Sequence, residues 1–378
     1  MSFLLEVTRI LPVRRALNCQ KFDNIRIRVD ATLARDARRR LRPPTLSARI
    51  TGGGLRVSFQ GRMFESVGRL AVQLPRFRGR SRACLILFKA LGLEGKHTFV
   101  EAVMRAPVAY RVRLDLHSWL QRIAFLMGEY EEDTARLLCR LQQSIGGKGY
   151  MLDIGANIGM ISLPTAILLA GDRSSTSVCV ISVEAIPDNA AALRRNIELN
   201  NAGGMIKVIE KALGDRAATL DIQVEGDLSR GEGTGTANIL PAGSTLDPNG
   251  TYQCVRIPIE VVTLDSLHAV GEIPDSCRVV KIDTDGYDLK VLQGATKFIS
   301  KCRPVVFGEF SAHCMGWHGQ SVVDVISYAN SMGYLVWQRV ERSKPLRFSR
   351  QADPVTFVQD LLLVPREHEE ALAWCCAQ

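Results

Sequence analysis

The chain has 378 residues, 46% hydrophobic and 23% charged, enough apolar material for a sizeable core and more length than one average domain uses. The best apolar run, 161–170, is interrupted by Pro164 and falls short of the roughly 18–20 residues that cross a bilayer, which argues against a transmembrane protein. Net charge is +9 but unevenly placed: residues 1–120 hold 24 Lys+Arg against 8 Asp+Glu, net +16, leaving 24 against 31, net −7, for the remainder.

The front of the chain is the least readable part. Residues 1–10 carry Glu6 and Arg9 inside an otherwise apolar run with no small-residue cleavage pattern, which speaks against a secretory signal. The arginine-rich, acid-poor continuation is similar to an organellar transit peptide, the alternative to a cytoplasmic start. Alternation predicts a half-exposed strand over 25–29, an arginine-rich helix over 31–41 closed by Pro43 and Pro44, and another strand over 55–60 after three glycines. Residues 76–82 form a basic loop with one aromatic, a weak signal for nucleic acid because stacking residues at regular spacing are missing. The basic front suits an anionic surface or ligand, or simply a solvated face.

From residue 117 onward the pattern changes. Apolar residues at helical spacing run from Trp119 to Gln143, broken near Gly128. Strands are predicted over 150–154, 178–184, 205–211, 255–262, 279–283, 304–310, 334–339 and 359–364, with helices over 187–200, 287–294 and 321–332. Repeated strand–helix units give an α/β fold with a mostly parallel sheet covered on both faces. The last two strands lack a helix between them and predict an antiparallel hairpin at one edge. Ten cysteines without a CxxC pair, and no histidine at metal-ligand spacing, read as reduced core residues of a cytoplasmic protein with no metal assigned.

The chemistry concentrates at strand ends. Asp153, Gly155, Asn157 and Gly159 occupy a sharp strand-to-helix turn, with a helix expected from about Ile158 whose free N–H groups would face an anionic ligand group. Asp153 suits the amino group of an amino-acid ligand. Glu184, at the end of the next strand, suits the ribose hydroxyls of a nucleoside. The spacing is GxxxG rather than the GxGxxG of dinucleotide sites, which favours an adenosine-plus-amino-acid cofactor over NAD(P). Asp283, Asp285 and Asp288 crowd the end of another strand; the period of two puts Asp283 and Asp285 on a similar side, while Asp288 reads as a helix cap. Crowded carboxylates raise at least one pKa and equip it for proton transfer, or two of them hold a divalent cation. Glu309 ends a strand at the same edge, and His313 and His318 follow it as further base candidates. The glycine-rich stretch 226–250 reads as a lid or an inert insertion.

These motifs resemble the FkbM family of class I methyltransferases. The matching segments are 128–131, 152–162, 183–187, 212–215, 263–267, 281–295 and 307–309, in family order. The resemblance implies a Rossmann-like seven-stranded sheet with an antiparallel last strand over 117–378, preceded by a basic N-terminal extension or small domain over 1–116 that is α+β or partly disordered. It implies S-adenosylmethionine as donor and a hydroxyl acceptor on a sugar, glycolipid or natural product. It adds Glu131, Asn157, Ala212 and Leu213 to Asp153, Gly155, Gly159 and Glu184 as cofactor-binding residues, with Asp283, Asp285, Glu309 and His313 as catalytic candidates. The family pattern has Glu where this chain has Asp285, a shorter reach. A cofactor-binding scaffold without turnover and an NAD(P)-dependent oxidoreductase are the competing classes; methyl transfer and cofactor preference discriminate them.

Overall fold

The computed structural model describes residues 98–146, 149–171, 177–225, 237–241, 244–245, 254–340, 345–350 and 358–377, with a few single positions from 63 to 92. All of them belong to one compact unit, Val57–Gln378. The elements expected over 25–29, 31–41 and 55–60, the basic loop 76–82 and most of the glycine-rich stretch lie outside the described residues.

A hairpin opens the described chain, β1 (Phe99–Met104) antiparallel to β2 (Tyr110–Asp115). Two helices follow where one broken helical pattern was read. Ser118 caps α1 (Trp119–Met127), and Gly128, at φ 71°, ends it in the left-handed conformation that costs glycine least. The second, α2 (Glu132–Ser144), buries Leu137, Leu138 and Leu141 along one face.

The main sheet is built from β3 (Tyr150–Ile154), β4 (Val180–Glu184), β5 (Ile206–Glu210), β10 (Cys277–Ile282), β11 (Val305–Ser311), β12 (Tyr334–Arg339), β13 (Phe348–Ser349) and β14 (Val358–Pro365). Their order is β13-β12-β14-β11-β10-β3-β4-β5. Strands β5, β4, β3, β10 and β11 pair in parallel, and β14 runs antiparallel to both β11 and β12. The antiparallel pair expected at the end of the chain is therefore present, but β14 inserts between β11 and β12 instead of closing the edge. Helices α3 (Ser162–Ala170), α4 (Pro187–Leu199), α5 (Leu264–Ala269), α6 (Asp288–Gln293), α7 (Thr296–Cys302), α8 (Ala312–Gly316) and α9 (Val322–Ser331) accompany these strands. Two large apolar clusters, one containing Met151 and Val279 and the other Leu152 and Val280, reflect alternate residues of the same strands, so the sheet is buried on both faces.

The stretch 255–262 departs from its expected place. As β9 (Cys254–Val262) it joins a second sheet with β6 (Ala212–Leu213), β7 (Ala218–Glu225) and β8 (Ala237–Ile239), in the order β6-β9-β7-β8. The reason is in its side chains. Strands at the centre of the parallel sheet are buried along their length, as β4 is at every position, whereas in β9 the buried Ile259 and Val261 alternate with the exposed Arg256, Pro258 and Glu260, the pattern of a sheet with one wet face. Ile259 and Val261 pack with Ile222, Val224 and Ile186 in a small core of their own.

Side chains of α4 fasten the hairpin to this frame. Asn196 Oδ1 accepts from Arg113 N at 2.8 Å, and Asn200 takes both Arg111 N (2.8 Å) and Arg111 O (2.6 Å). Among the described residues no helix is long and apolar enough to cross a membrane.

Candidate active site

Chain order reverses between β3 and β10: from β3 the sheet extends to β4 and β5 on one side, and β10 and β11 lie on the other. Ligands of open α/β sheets bind in the crevice that such a reversal opens at the carboxyl ends of the strands. At that edge β3 runs into the Gly155 turn, β4 ends on Glu184, β10 runs into Asp283 and β11 carries Glu309 near its end.

β3 ends at Ile154 and the chain turns at Gly155, which has φ 77°. A Cβ there would stand 1.9 Å from the Asp283 carbonyl oxygen, and one on Gly159 (φ 91°) would stand 2.4 Å from Leu193 Cδ1. Both glycines are thus required by the turn and by the neighbouring chain, Gly155 by the very segment that bears the acids. The helix begins at Ser162, not near Ile158. Of the N–H groups expected to face a ligand, that of Asn157 donates to Glu184 Oε2 at 2.8 Å and that of Ile158 to Asn157 Oδ1 at 2.8 Å. The turn's donors are spent on holding the turn.

Glu184 is 5% exposed at the end of β4. Its Oε1 accepts from Ile186 N at 3.0 Å and from Asn189 Nδ2 at 3.3 Å. Three of the roughly four acceptor positions of a carboxylate are used, leaving about one for a ligand hydroxyl. Burial raises its pKa; the Ile186 and Asn157 N–H groups, then Asn189, pull it back.

Asp153 is fully buried. Its Oδ2 accepts from Ser162 Oγ at 2.5 Å, and Ser162 Oγ lies 2.7 Å from Ser182 Oγ, so a polar chain joins β3, α3 and β4 inside the core. Its Oδ1 stands 3.3 Å from Lys281 Nζ without hydrogen-bond geometry, a buried acceptor still open to a donor. Lys281 also reaches Asp283 Oδ2 at 3.3 Å and donates to Gly155 O at 3.4 Å. Burial alone would lower the Lys281 pKa, but Asp153, Asp283 and Glu131 together raise it, so the ammonium stays charged.

The acids occupy the other half of the crevice. β10 stops at Ile282, so the period of two does not extend to Asp285, which sits in a tight turn at φ 50°. Asp288 closes that turn: Oδ1 accepts from Thr284 N and Thr284 Oγ1, both at 2.8 Å, and Oδ2 from Gly286 N at 3.0 Å. Its role is structural, but it ties down the preceding turn and does not cap the helix as expected: Tyr287 is the N-cap and Asp288 the first helical residue. The Asp285 pKa is pushed up to about 7, by burial first and then by Asp283 and Asp288, against a hydrogen bond from the Ala237 backbone. That of Glu309, on β11, is pushed up to about 8 by burial and by repulsion from Asp283, Asp360 and Glu131. Glu131 begins α2 at φ 38°, accepts from Thr134 Oγ1 at 3.3 Å, and also titrates high through burial and Asp283.

Sequence reasoning left several members unassigned. Lys281 and Tyr130 stood inside quoted motifs without a role; Tyr130 is half-buried beside Glu131, Asp283 and Glu309. Asp360, the register partner of Glu309 on β14, is held by Arg339 Nη1 at 2.5 Å. A lone acid inside the apolar run 359–364 was the available signal. Ala212 and Leu213 lie buried just beyond the end of β5, paired with Val261 and Val262 of β9. His313 is exposed on α8, edge-on to Trp317 at 5.1 Å, and His318 lies edge-on to Tyr287 at 5.1 Å. Remote from one another in sequence, His268, Asp275 and Cys302 also meet; His268 Nε2 lies 2.7 Å from Asp275 Oδ1, which Lys301 pairs at 2.8 Å.

Residues 153–336 match the family model of the methyltransferase FkbM domain, from the buried Asp153 to the middle of β12. The chain carries an FkbM domain. Similar solved structures include the methyltransferase FkbM of Methylobacillus flagellatus KT, at 16% identity and TM-score 0.35 over 79% of this chain and 58% of that one. An O-methyltransferase from Bacillus cereus in complex with SAH is 13% identical, with TM-score 0.33, over 80% and 99% of the two chains. TYW2 of P. horikoshii in complex with MeSAdo is 12% identical, with TM-score 0.33, over 75% and 81%. The chain thus spans little more than half the length of the Methylobacillus protein. No curated protein matches it. The matched FkbM segment contains the turn at Gly155, Glu184, Lys281 and the acids Asp283, Asp285 and Glu309; Glu131, Tyr130 and Asp360 flank it in sequence and reach the same crevice.

Proposed function

We propose that the protein is an S-adenosylmethionine-dependent methyltransferase that methylates a hydroxyl of a small molecule or glycan. The observation that carries this reading is the joining, within the FkbM domain, of a nucleoside-type acid with a carboxyl cluster that retains protons near neutral pH.

The residues present fit the cofactor. Glu184 has one acceptor position left for a ribose hydroxyl, and its geometry is fixed by Asn157 N and Ile186 N. Asp153 Oδ1 is a buried acceptor for an ammonium-bearing ligand. Ala212, Leu213 and Ile186 supply apolar surface at the same edge, suited to a nucleobase, and Gly155, Gly159 and Glu131 shape the remainder. When bound, the donor supplies an electrophilic sulfonium methyl group.

What this chain must add is orientation, exclusion of water and a place for the hydroxyl proton. The acids outnumber the cations: Asp153, Glu131, Asp283, Asp285, Glu309 and Asp360 share Lys281 and Arg339. Neutral pH therefore leaves protons in the cluster, and a carboxylate titrating at about 7 or 8 is a competent base for a hydroxyl. Asp285 and Glu309 are assigned that role, with Asp283 paired to Lys281 beside them. His313 is the alternative base. The described cysteines are free, which suits the reducing, cytoplasmic setting that cell fractionation would check.

Calorimetry with S-adenosylhomocysteine should show binding by the wild-type protein. Labelled S-adenosylmethionine incubated with cell extract should then mark an oxygen-methylated product. A folded wild type that binds no S-adenosylhomocysteine would sink the reading, and binding without transfer to any acceptor would leave a scaffold instead.

A further inference from the structure

A cavity of about 420 Å³ opens beside the acid-bearing turn, between the second sheet and the segments that follow β10 and β11. Ile239 of β8 forms one wall, Tyr287 and Lys290 another, and Trp317 with His318 a third; Arg216 stands at its rim. The cavity is tied to the reaction edge through one residue. Asn238, next to Ile239 and 2% exposed, donates from Nδ2 to the Asp285 carbonyl oxygen at 2.9 Å, and Tyr287 lies two residues beyond Asp285.

Three features of the lining describe its ligand. First, among the described residues two cations share a single carboxylate: Lys290 Nζ lies 3.6 Å and Arg216 Nη1 3.9 Å from Asp215 Oδ2, an excess of one positive charge there. Second, Tyr287 and Trp317 present aromatic rings, the surface on which a flat or ring-shaped body packs. Third, the His318 ring donates to the Ile239 carbonyl while its Nε2, a buried atom, has no partner among the described residues. Burial lowers the His318 pKa, so at neutral pH that nitrogen is an acceptor awaiting a donor such as a hydroxyl.

We propose that this cavity is the acceptor subsite and that it selects a small ring-bearing hydroxy acid. The acid group, carboxylate or phosphate, meets Arg216 and Lys290, the ring lies against Trp317 and Tyr287, and one hydroxyl donates to His318 Nε2. The assignment of this ligand as methyl acceptor rests on the transferase reading; its binding does not.

The test separates the two. Saturation-transfer NMR and calorimetry on the full chain, with and without S-adenosylhomocysteine, would use 4-hydroxybenzoate, glucuronate and glucose 6-phosphate, with 4-hydroxybenzamide and glucose as neutral controls. At least one acid should bind, more weakly as salt is added, while the neutral controls do not; the acid that binds shows whether carboxylate or phosphate is preferred. Arg216→Ala, at a side chain 80% exposed, and Lys290→Met should each weaken that acid by about tenfold while leaving S-adenosylhomocysteine affinity unchanged. Neutral controls that bind as well as the acids, acids unaffected by both variants, or no acid binding at all would overturn the cavity's assignment. Loss of S-adenosylhomocysteine binding by the wild type would instead overturn the transferase reading.

Discussion

Lys281 and Asp153 are register partners across the parallel pair β10–β3, and their charged atoms lie 3.3 Å apart in a space nearly closed to solvent. The same ammonium lies 3.3 Å from Asp283. One cation therefore couples the strand that leads into the Gly155 turn to the strand that delivers the acids. A buried pair of this kind stabilises little against an apolar replacement, but removing one partner strands the other's charge. Lys281→Met should cost about 3–5 kcal/mol in urea denaturation, and Asp153→Asn in the same chain should recover part of that loss. A single variant as stable as wild type would show that the pair is not charged in the folded protein.

Glu184→Gln tests the nucleoside end of the crevice. The amide keeps one oxygen for Asn157 N or Ile186 N and turns an NH₂ toward the other, so stability should fall by about 1–2 kcal/mol. The hydroxyl acceptor loses its charge, and S-adenosylhomocysteine affinity should fall by roughly 10- to 100-fold in calorimetry. Unchanged affinity would move the ribose elsewhere.

The high pKa values of Asp285 and Glu309 have two consequences of opposite sense. Folding favours their neutral forms, because about 7 and about 8 lie above the ordinary carboxyl values of roughly 4. Their contribution to stability is complete below about pH 4 and is lost as pH rises through 7 to 8. Asp285→Asn or Glu309→Gln should thus stabilise the protein at pH 9, by roughly 1–2 kcal/mol after allowance for partial exposure, and matter little near pH 5. Activity runs the other way. A base must be ionised, so kcat/KM should climb with pH and level off above about 8, and the variant lacking the base should lose about 10²–10⁴ in rate. A flat pH profile from 6 to 9 would exclude both carboxyls as the base.

Gly155→Ala places a methyl group 1.9 Å from the Asp283 carbonyl oxygen at a backbone φ of 77°. Neither strain is relieved by a rotamer change, because the obstacle is backbone. The variant should lose about 2 kcal/mol or more and should also shift the acids, so that thermal stability and cofactor affinity fall together. If affinity fell while stability held, the glycine would be serving the ligand rather than the turn.

How much of this was written in the sequence depends on the range of the interaction. The Gly155 turn, Glu184 and the acids were legible because each is a local pattern at a strand end, and the alternating strands and helices placed those ends on one edge. What Asp153 touches was not legible: its contact with Lys281 exists only once β10 lies beside β3, 128 residues later. The same holds for Asp360, brought to Glu309 by the insertion of β14. The expectation of open N–H groups near Ile158 failed for a related reason, since the carboxylate that takes the Asn157 N–H is Glu184, on another strand. The hairpin 99–115 carried no motif because its partners are two asparagines of α4, whose helical context gives no hint of a strand at their side.

Those asparagines allow a sharper test of how the hairpin bears on the site. Asn196 is fully buried and spans two regions: it accepts from Arg113 N of β2 and donates to Ile158 O in the turn after β3, at 2.8 and 2.9 Å. Asn200, one turn of helix later, holds Arg111 of β2 and the Asn196 carbonyl but has no bond to the described residues of that turn. Replacing either by Ala leaves a partly buried strand N–H without its side-chain acceptor and should cost about 1–2 kcal/mol in denaturant unfolding. The two should part company in ligand binding. Asn196→Ala frees the Ile158 carbonyl and loosens the segment that holds Glu184, so S-adenosylhomocysteine affinity should fall with stability; Asn200→Ala should lose stability alone. Equal losses of affinity in both variants would mean that the hairpin as a whole, and not the Asn196 link, supports the turn.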